Sequence, residues 1–311
     1  MTAAEIAHAL PPESAARTLR GSALASTGRD YLTLTKPRIM SLLVLTAACA
    51  MVAAAGGSPA PLPLVALVLG GGLACGGASA LNHVLDRDID RLMGPRTASR
   101  PVAAGRISPA AATIFGLVLS ALSFAVLSEF VNVLAATLSL AGGAFYVVVY
   151  TFLLKRTTSQ NIVIGGAAGA FPPLAGWAAA NGRLGIGAGF LFAIVLLWTP
   201  PHFWALAVLL SRHYAAAGVP MMPVVRGNEA TARQVLVYAV VLLAVTLAPG
   251  LLGTFGVIYL SAAAILGVIL CVLAWRLSQD STPARAGVLF HYSLLYLALL
   301  FAAVAIDAGL R

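Results

Sequence analysis

Long apolar runs separated by short polar stretches dominate the chain from residue 39 onward. Runs such as residues 62–81, 109–127 and 234–254 reach the roughly twenty residues that an α-helix needs to cross hydrocarbon at about 1.5 Å per residue. A core helix of a soluble domain has no need of that length. The pattern predicts crossings at residues 39–56, 62–83, 109–128, 131–153, 161–180, 185–210, 234–254, 256–275 and 288–308. The expected fold class is therefore all-α, a polytopic membrane bundle of about nine helices. Glycines recur within these runs, at Gly70, Gly71, Gly72, Gly76 and Gly77 and again at Gly165, Gly166 and Gly169. Close helix packing through small residues explains them better than direct ligand contact.

Charge then sets the orientation. Of the nineteen Lys and Arg residues, all but Arg183 and Arg311 fall on one side of this topology, and the positive-inside rule places that side, with the N-terminus, in the cytoplasm. The longer polar connections, residues 84–108 and 211–233, lie on the same side, so the chemistry is expected there. Composition agrees: 60% of residues are hydrophobic and 9% charged, whereas a soluble domain carries roughly a quarter charged residues. A net charge of +9 would point to nucleic acid in a soluble protein. Here the basic residues lie between apolar runs, so no nucleic-acid partner is expected and the bilayer is the partner. Cys49, Cys75 and Cys271 are far apart within apolar runs and are read as small buried residues.

Residues 1–34 have neither the apolar core nor the small-residue cleavage site of a secretory signal. They are read as a flexible cytoplasmic tail ahead of one membrane domain at residues 35–311. An organelle import sequence is the competing reading: Arg17 and Arg20 fit it, while Glu5, Glu13 and Asp30 argue against it.

The densest polar feature is Asn82-His83-Val84-Leu85-Asp86-Arg87-Asp88-Ile89-Asp90-Arg91, where an apolar run ends. At about 100° per residue, Asn82 and Asp90 lie within about 40° of Asp86 on one helix face, with His83 at about 60° and Asp88 on the opposite side. Asn82 and Asp90 are about 12 Å apart along an ideal helix, and Mg²⁺ binds oxygen at about 2.1 Å, so one ion cannot touch both. A diphosphate bridged by one or two Mg²⁺ ions would engage the whole face. The alternative is a solvated helix end whose acids merely pair with Arg87 and Arg91. Lys36, Arg38, Arg96, Arg100, Arg106, Lys155 and Arg156 lie on the same side. Guanidinium and ammonium groups suit phosphate oxygens, although each residue also serves as a topology signal.

Several blocks together resemble the UbiA superfamily of membrane prenyltransferases, and within it the heme-modifying branch. They are Leu34-Thr35-Lys36-Pro37-Arg38-Ile39, the Asn82, Asp86, Asp90 pattern followed by Arg100-Pro101, and Lys155-Arg156-Thr157-Thr158 running through Asn161 to Gly169. Further on come Pro172-Pro173-Leu174-Ala175-Gly176-Trp177, Trp198-Thr199-Pro200-Pro201-His202-Phe203-Trp204, Ala217 to Val225, and Tyr292-Ser293 with Tyr296-Leu297. The acidic pattern points to the superfamily, and the later blocks to the branch.

The resemblance implies nine helices around a central cavity, with Asn82, Asp86 and Asp90 as catalytic and Mg²⁺-holding residues. It also implies Lys36, Arg87 and Arg156 as diphosphate contacts. The implied substrates are farnesyl diphosphate and heme b, joined at a heme vinyl group with addition of water to give heme O. A bacterial inner-membrane location and partners in heme-pathway or terminal oxidase assembly are further implications. His202 and His291 are the expected heme contacts, through iron or a proton shuttle; each is equally open to a plain hydrogen bond with a nearby carbonyl. For His83, a bond to an acid or to diphosphate stands beside a heme role. His213 occupies a position where the family usually has an acid, which leaves the number of Mg²⁺ ions open. Two other readings are a prenyltransferase acting on a phenol ring and a transporter. The His202 block speaks against the first, and the clustering of acids at one membrane face against the second.

Overall fold

The computed structural model of the chain describes residues 27–311. Among them are nine helices long and apolar enough to cross a membrane: α1 Pro37–Ala54, α2 Pro61–Leu85, α3 Pro109–Phe130, α4 Val133–Leu154, α5 Asn161–Asn181, α6 Ile186–Leu209, α7 Met222–Leu251, α8 Val257–Gln279 and α9 Pro283–Gly309. Consecutive helices are neighbours, and α9 returns to pack on α1, so the bundle closes as a ring; α5 also crosses α1 and α6 crosses α9. Apolar side chains such as Ile114, Ile265 and Val257 remain exposed on the outer surface, as lipid-facing positions require.

Helix starts follow local chemistry. Pro37, Pro61, Pro109 and Pro283 open α1, α2, α3 and α9, where the missing N–H is one the helix leaves unbonded in any case. Ser108 caps α3 by accepting from Ala111 N at 3.2 Å. Asn132 caps α4 by accepting from Ala135 N at 2.8 Å, while its own amide donates to Ala178 O at the end of α5. At the far end of α9, the buried Asp307 accepts from Gly256 N, the residue that opens α8, at 2.6 Å. This places a carboxylate at a helix N-terminus, where the dipole favours it.

Three boundaries differ from the hydropathy pattern. Residues 27–34, expected to belong to the flexible tail, form a helix: Leu34 is fully buried, and Arg106 donates to both Asp30 carboxylate oxygens at 2.8 and 3.0 Å. The rest of that expected tail, residues 1–26, lies outside the described residues. Helix α7 begins at Met222 rather than 234, with a break at Gly227 (φ 81°), because Arg226, Asn228, Glu229 and Arg233 hide a helical start from a hydropathy window. For the same reason Arg285 masks the start of α9.

Glycine sets the closest crossing. A Cβ at Gly176 of α5 would overlap the Ala47 backbone of α1, and backbone offers no flexible end to move aside. Gly176→Ala is expected to destabilise the bundle by at least about 1–3 kcal/mol, read as a lowered thermal midpoint in detergent. Gly71→Ala, which meets open space, is the matched control.

Candidate active site

Helix α2 ends in a turn at Asp86 (φ −91°, ψ 3°) and resumes as a short helix, Arg87–Leu92. The ladder survives the turn, with Asp86 N bonded to Asn82 O at 2.9 Å and Asp90 N to Asp86 O at 2.8 Å. Helical phase is therefore kept. Asn82, Asp86 and Asp90 are 2%, 1% and 1% exposed, whereas Asp88 projects outward and takes a bidentate bond from Arg156, with both contacts at 2.7 Å.

The inward face is ringed by cations. Lys36 Nζ donates to Asn82 Oδ1 at 3.0 Å, and Asn82 Nδ2 bonds Asp86 Oδ2 at 2.8 Å and Thr151 Oγ1 at 3.1 Å. Lys155 Nζ donates to Asp86 Oδ2, and Arg100 Nη1 to Asp90 Oδ1. One oxygen on each acid, Asp86 Oδ1 and Asp90 Oδ2, is buried with no hydrogen-bond partner. Burial pushes the Lys36 ammonium down to about 7, aided by the charges of Arg100 and Lys155. It also raises the Asp90 carboxyl against the opposing pull of Arg100. On the outer side the Arg156 hydrogen bonds hold the Asp88 carboxyl well below the usual carboxylate range.

Two local irregularities deliver these cations. Lys36 sits in the left-handed region (φ 47°, ψ 54°) just before Pro37, a conformation that costs a non-glycine residue about 1–3 kcal/mol. Residues Phe145–Leu154 of α4 wind as a π-helix. Its wider turn bonds Lys155 N to Tyr150 O and Thr151 Oγ1 to Tyr146 O, each across five residues. Thr151 and Lys155 thereby face α2 together.

Of the residues expected at a diphosphate, Lys36 joins the cluster. Arg87 does not: it is exposed and donates to Val84 O at 2.9 Å. Arg156 sits on the outer side with Asp88, and its neighbour Lys155 takes the inner place. Arg91, a pairing candidate for the acids, instead bonds Ala103 O at 2.9 Å. Lys155 and Arg100 are the site residues that sequence reasoning did not single out. Nothing along the chain separated Lys155 from Arg156, because the π-winding of Phe145–Leu154 sets which of the two turns inward.

The histidines separate. His202 stacks between Trp198 (centroids 4.3 Å) and Phe290 (4.8 Å), with Nδ1 2.7 Å from Ser293 Oγ. The Ser293 hydroxyl donates to Phe290 O at 2.7 Å, so His202 Nδ1 is the donor and Nε2 keeps its lone pair. His291 is exposed, Nδ1 on Gly287 O at 2.7 Å, on a different face of α9 from Ser293. His83 is 1% exposed and both its nitrogens are without a partner. His213, in the short helix Ser211–Ala216, is exposed, and its ring lies against Gly94, where a Cβ would come 3.0 Å from Cδ2. It makes no bond to Asp86 or Asp90. His213→Asn and His213→Asp are accordingly expected to retain activity within about tenfold, measured as product formed across a Mg²⁺ titration. A loss rescued by excess metal would instead make it a ligand.

The UbiA prenyltransferase family profile matches residues 43–303. The chain belongs to the UbiA prenyltransferase family. A protoheme IX farnesyltransferase from Gloeobacter violaceus is 53% identical over 92% of this chain and 93% of its own length. One from Thermus thermophilus is 50% identical over 91% of this chain and 46% of the longer relative. Among solved structures, digeranylgeranylglyceryl phosphate synthase superposes with a TM-score of 0.75 at 19% identity, over 91% of this chain and 99% of that one. A UbiA homologue from Archaeoglobus fulgidus bound to GPP and Mg²⁺ gives 0.66 at 17% identity, over 88% and 99%. The UbiA fold accounts for the closed ring of nine helices.

Proposed function

We propose that this UbiA protein transfers the farnesyl group of farnesyl diphosphate to a vinyl group of heme b, with addition of water, giving heme O and diphosphate. The observation that carries the transfer chemistry is the buried Asn82, Asp86, Asp90 face, with a free oxygen on each acid and Lys36, Lys155 and Arg100 around it. The identity of the acceptor is supported by relatives about half identical to this chain that carry the name protoheme IX farnesyltransferase.

The donor set suits Mg²⁺. Among the described residues no three His, Cys, Asp or Glu side chains are arranged to hold a metal ion, and magnesium is commonly held by one or two carboxylates together with substrate phosphates. Asp86 and Asp90 would hold it; Asn82, whose oxygen already accepts from Lys36, would orient Asp86. The ion's contribution is to neutralise charge on the diphosphate. Lys36, Lys155 and Arg100 bind the departing diphosphate and stabilise its growing charge, while the apolar helix walls keep bulk water from the allylic cation. His202 contacts heme through the free Nε2 and the aromatic stack.

Incubating the purified protein with heme b, farnesyl diphosphate and Mg²⁺ should yield a heme heavier by farnesyl plus water in mass spectrometry. Unchanged heme would refute the proposal. The basic loops support an N-terminus in the cytoplasm; the bacterial relatives support a bacterial cytoplasmic membrane, around one domain in which the helix at residues 27–34 joins residues 35–311. A reporter at the exposed Ser99, made by Ser99→Cys, should resist an impermeant thiol reagent added outside intact cells. Labelling from outside would invert the topology.

A further inference from the structure

Seven Ser and Thr side chains are buried among the described residues: Thr46, Ser79, Ser123, Thr151, Thr231, Thr246 and Ser293. Six of them donate to a carbonyl, five within their own helix and Ser123 to Gly70 O across the α2–α3 contact. Ser79 Oγ makes no bond at all. Four residues on, His83 is equally buried with both ring nitrogens unpartnered. A buried polar group left unbonded costs about 1–3 kcal/mol. Two on adjacent turns of one helix mark a place prepared for a polar ligand that is not protein.

Their position says which ligand. Ser79, His83, Asp86 and Asp90 are spaced four, three and four residues apart and form one stripe along α2. Asp86 and Asp90 end that stripe at the membrane surface. Ser79 lies about 10 Å deeper, on the rise of an α-helix. Ser79 and His83 thus continue the stripe of the two acids directly inward from the diphosphate end. The Ser79 hydroxyl and one of the two His83 ring nitrogens offer the two bonds that a buried water requires at the least. They offer no negative charge for a second cation.

We propose that Ser79 and His83 hold the water molecule that is added to the heme vinyl group, a reading that rests on the function proposed above. The vinyl π pair forms a bond to C1 of the farnesyl group as the C1–O bond breaks and diphosphate leaves with its electrons. The positive charge left on the vinyl carbon next to the ring takes an oxygen lone pair from the held water, and the released proton passes to diphosphate. His83 and Ser79 are positioning residues, which orient the water without themselves changing protonation. Without a held water the same cation loses a neighbouring proton to diphosphate and becomes an alkene.

The test is product partition. Ser79→Ala removes a hydroxyl that bonds nothing in the protein, so it should fold normally; His83→Leu removes both nitrogens, and His83→Gln keeps a donor and an acceptor. With heme b, farnesyl diphosphate and Mg²⁺, Ser79→Ala and His83→Leu should raise the ratio of dehydrated to hydroxylated farnesyl heme at least about tenfold. Diphosphate release should continue, and His83→Gln should restore the wild-type ratio. Lower turnover in both variants at an unchanged ratio would overturn the inference and leave the function standing. A wild-type protein that forms no farnesylated heme would overturn both.

Discussion

Replacing Asp86 or Asp90 by Ala is expected to lower farnesyl transfer at least about a hundredfold, because metal-held charge on a leaving group is worth several kcal/mol and each 1.4 kcal/mol is tenfold in rate. Each acid has one oxygen committed to a cation and one free and buried, so removing either would take from the proposed Mg²⁺ site an oxygen that the remaining acid cannot replace. Asp88→Ala is the contrast. Its carboxylate is on the outer side, more than half exposed at 60%, and bonded to Arg156, and exposed pairs contribute about 0–1 kcal/mol. Turnover of the three variants, measured as farnesylated heme, should separate by more than an order of magnitude. Equal losses at all three would show that Arg156, positioned by Asp88, acts on substrate after all.

Loss of Lys155 should be nearly as damaging, for a different reason. Its side chain, 10% exposed, faces an Asp86 side chain that is 1% exposed. Breaking a buried pair from one side leaves an uncompensated charge and costs about 3–5 kcal/mol. Lys155→Met is expected to lower the thermal midpoint in detergent sharply. The double variant Lys155→Met with Asp86→Asn should recover much of that stability, since no charge is stranded, yet remain inactive. A single variant as stable as wild type would mean that Asn82 and Lys36 suffice to balance Asp86. Because Lys155 donates directly to Asp86 Oδ2, the two substitutions are not additive, and the cycle measures the coupling directly.

The sequence by itself determined the class, the number of crossings and the acidic face. Those rest on properties that hold along a chain: hydrocarbon thickness sets helix length, and 3.6 residues per turn puts Asn82, Asp86 and Asp90 together and Asp88 away. The phase argument holds because the ladder carries through the turn at Asp86. Only the tertiary structure decided which cations meet those acids. Arg87 shares the acidic segment yet turns to Val84 O, while Lys155 and Arg100 reach it from elsewhere in the chain. The choice between Lys155 and Arg156 depends on the π-winding of Phe145–Leu154, which rotates the end of α4 by an amount that α-helical periodicity does not predict. Likewise Met222 and Pro283 begin helices where charged residues near the membrane surface conceal them from hydropathy. The unbonded state of Ser79 and His83 is a property of what does not surround them, and spacing along a chain carries no record of that.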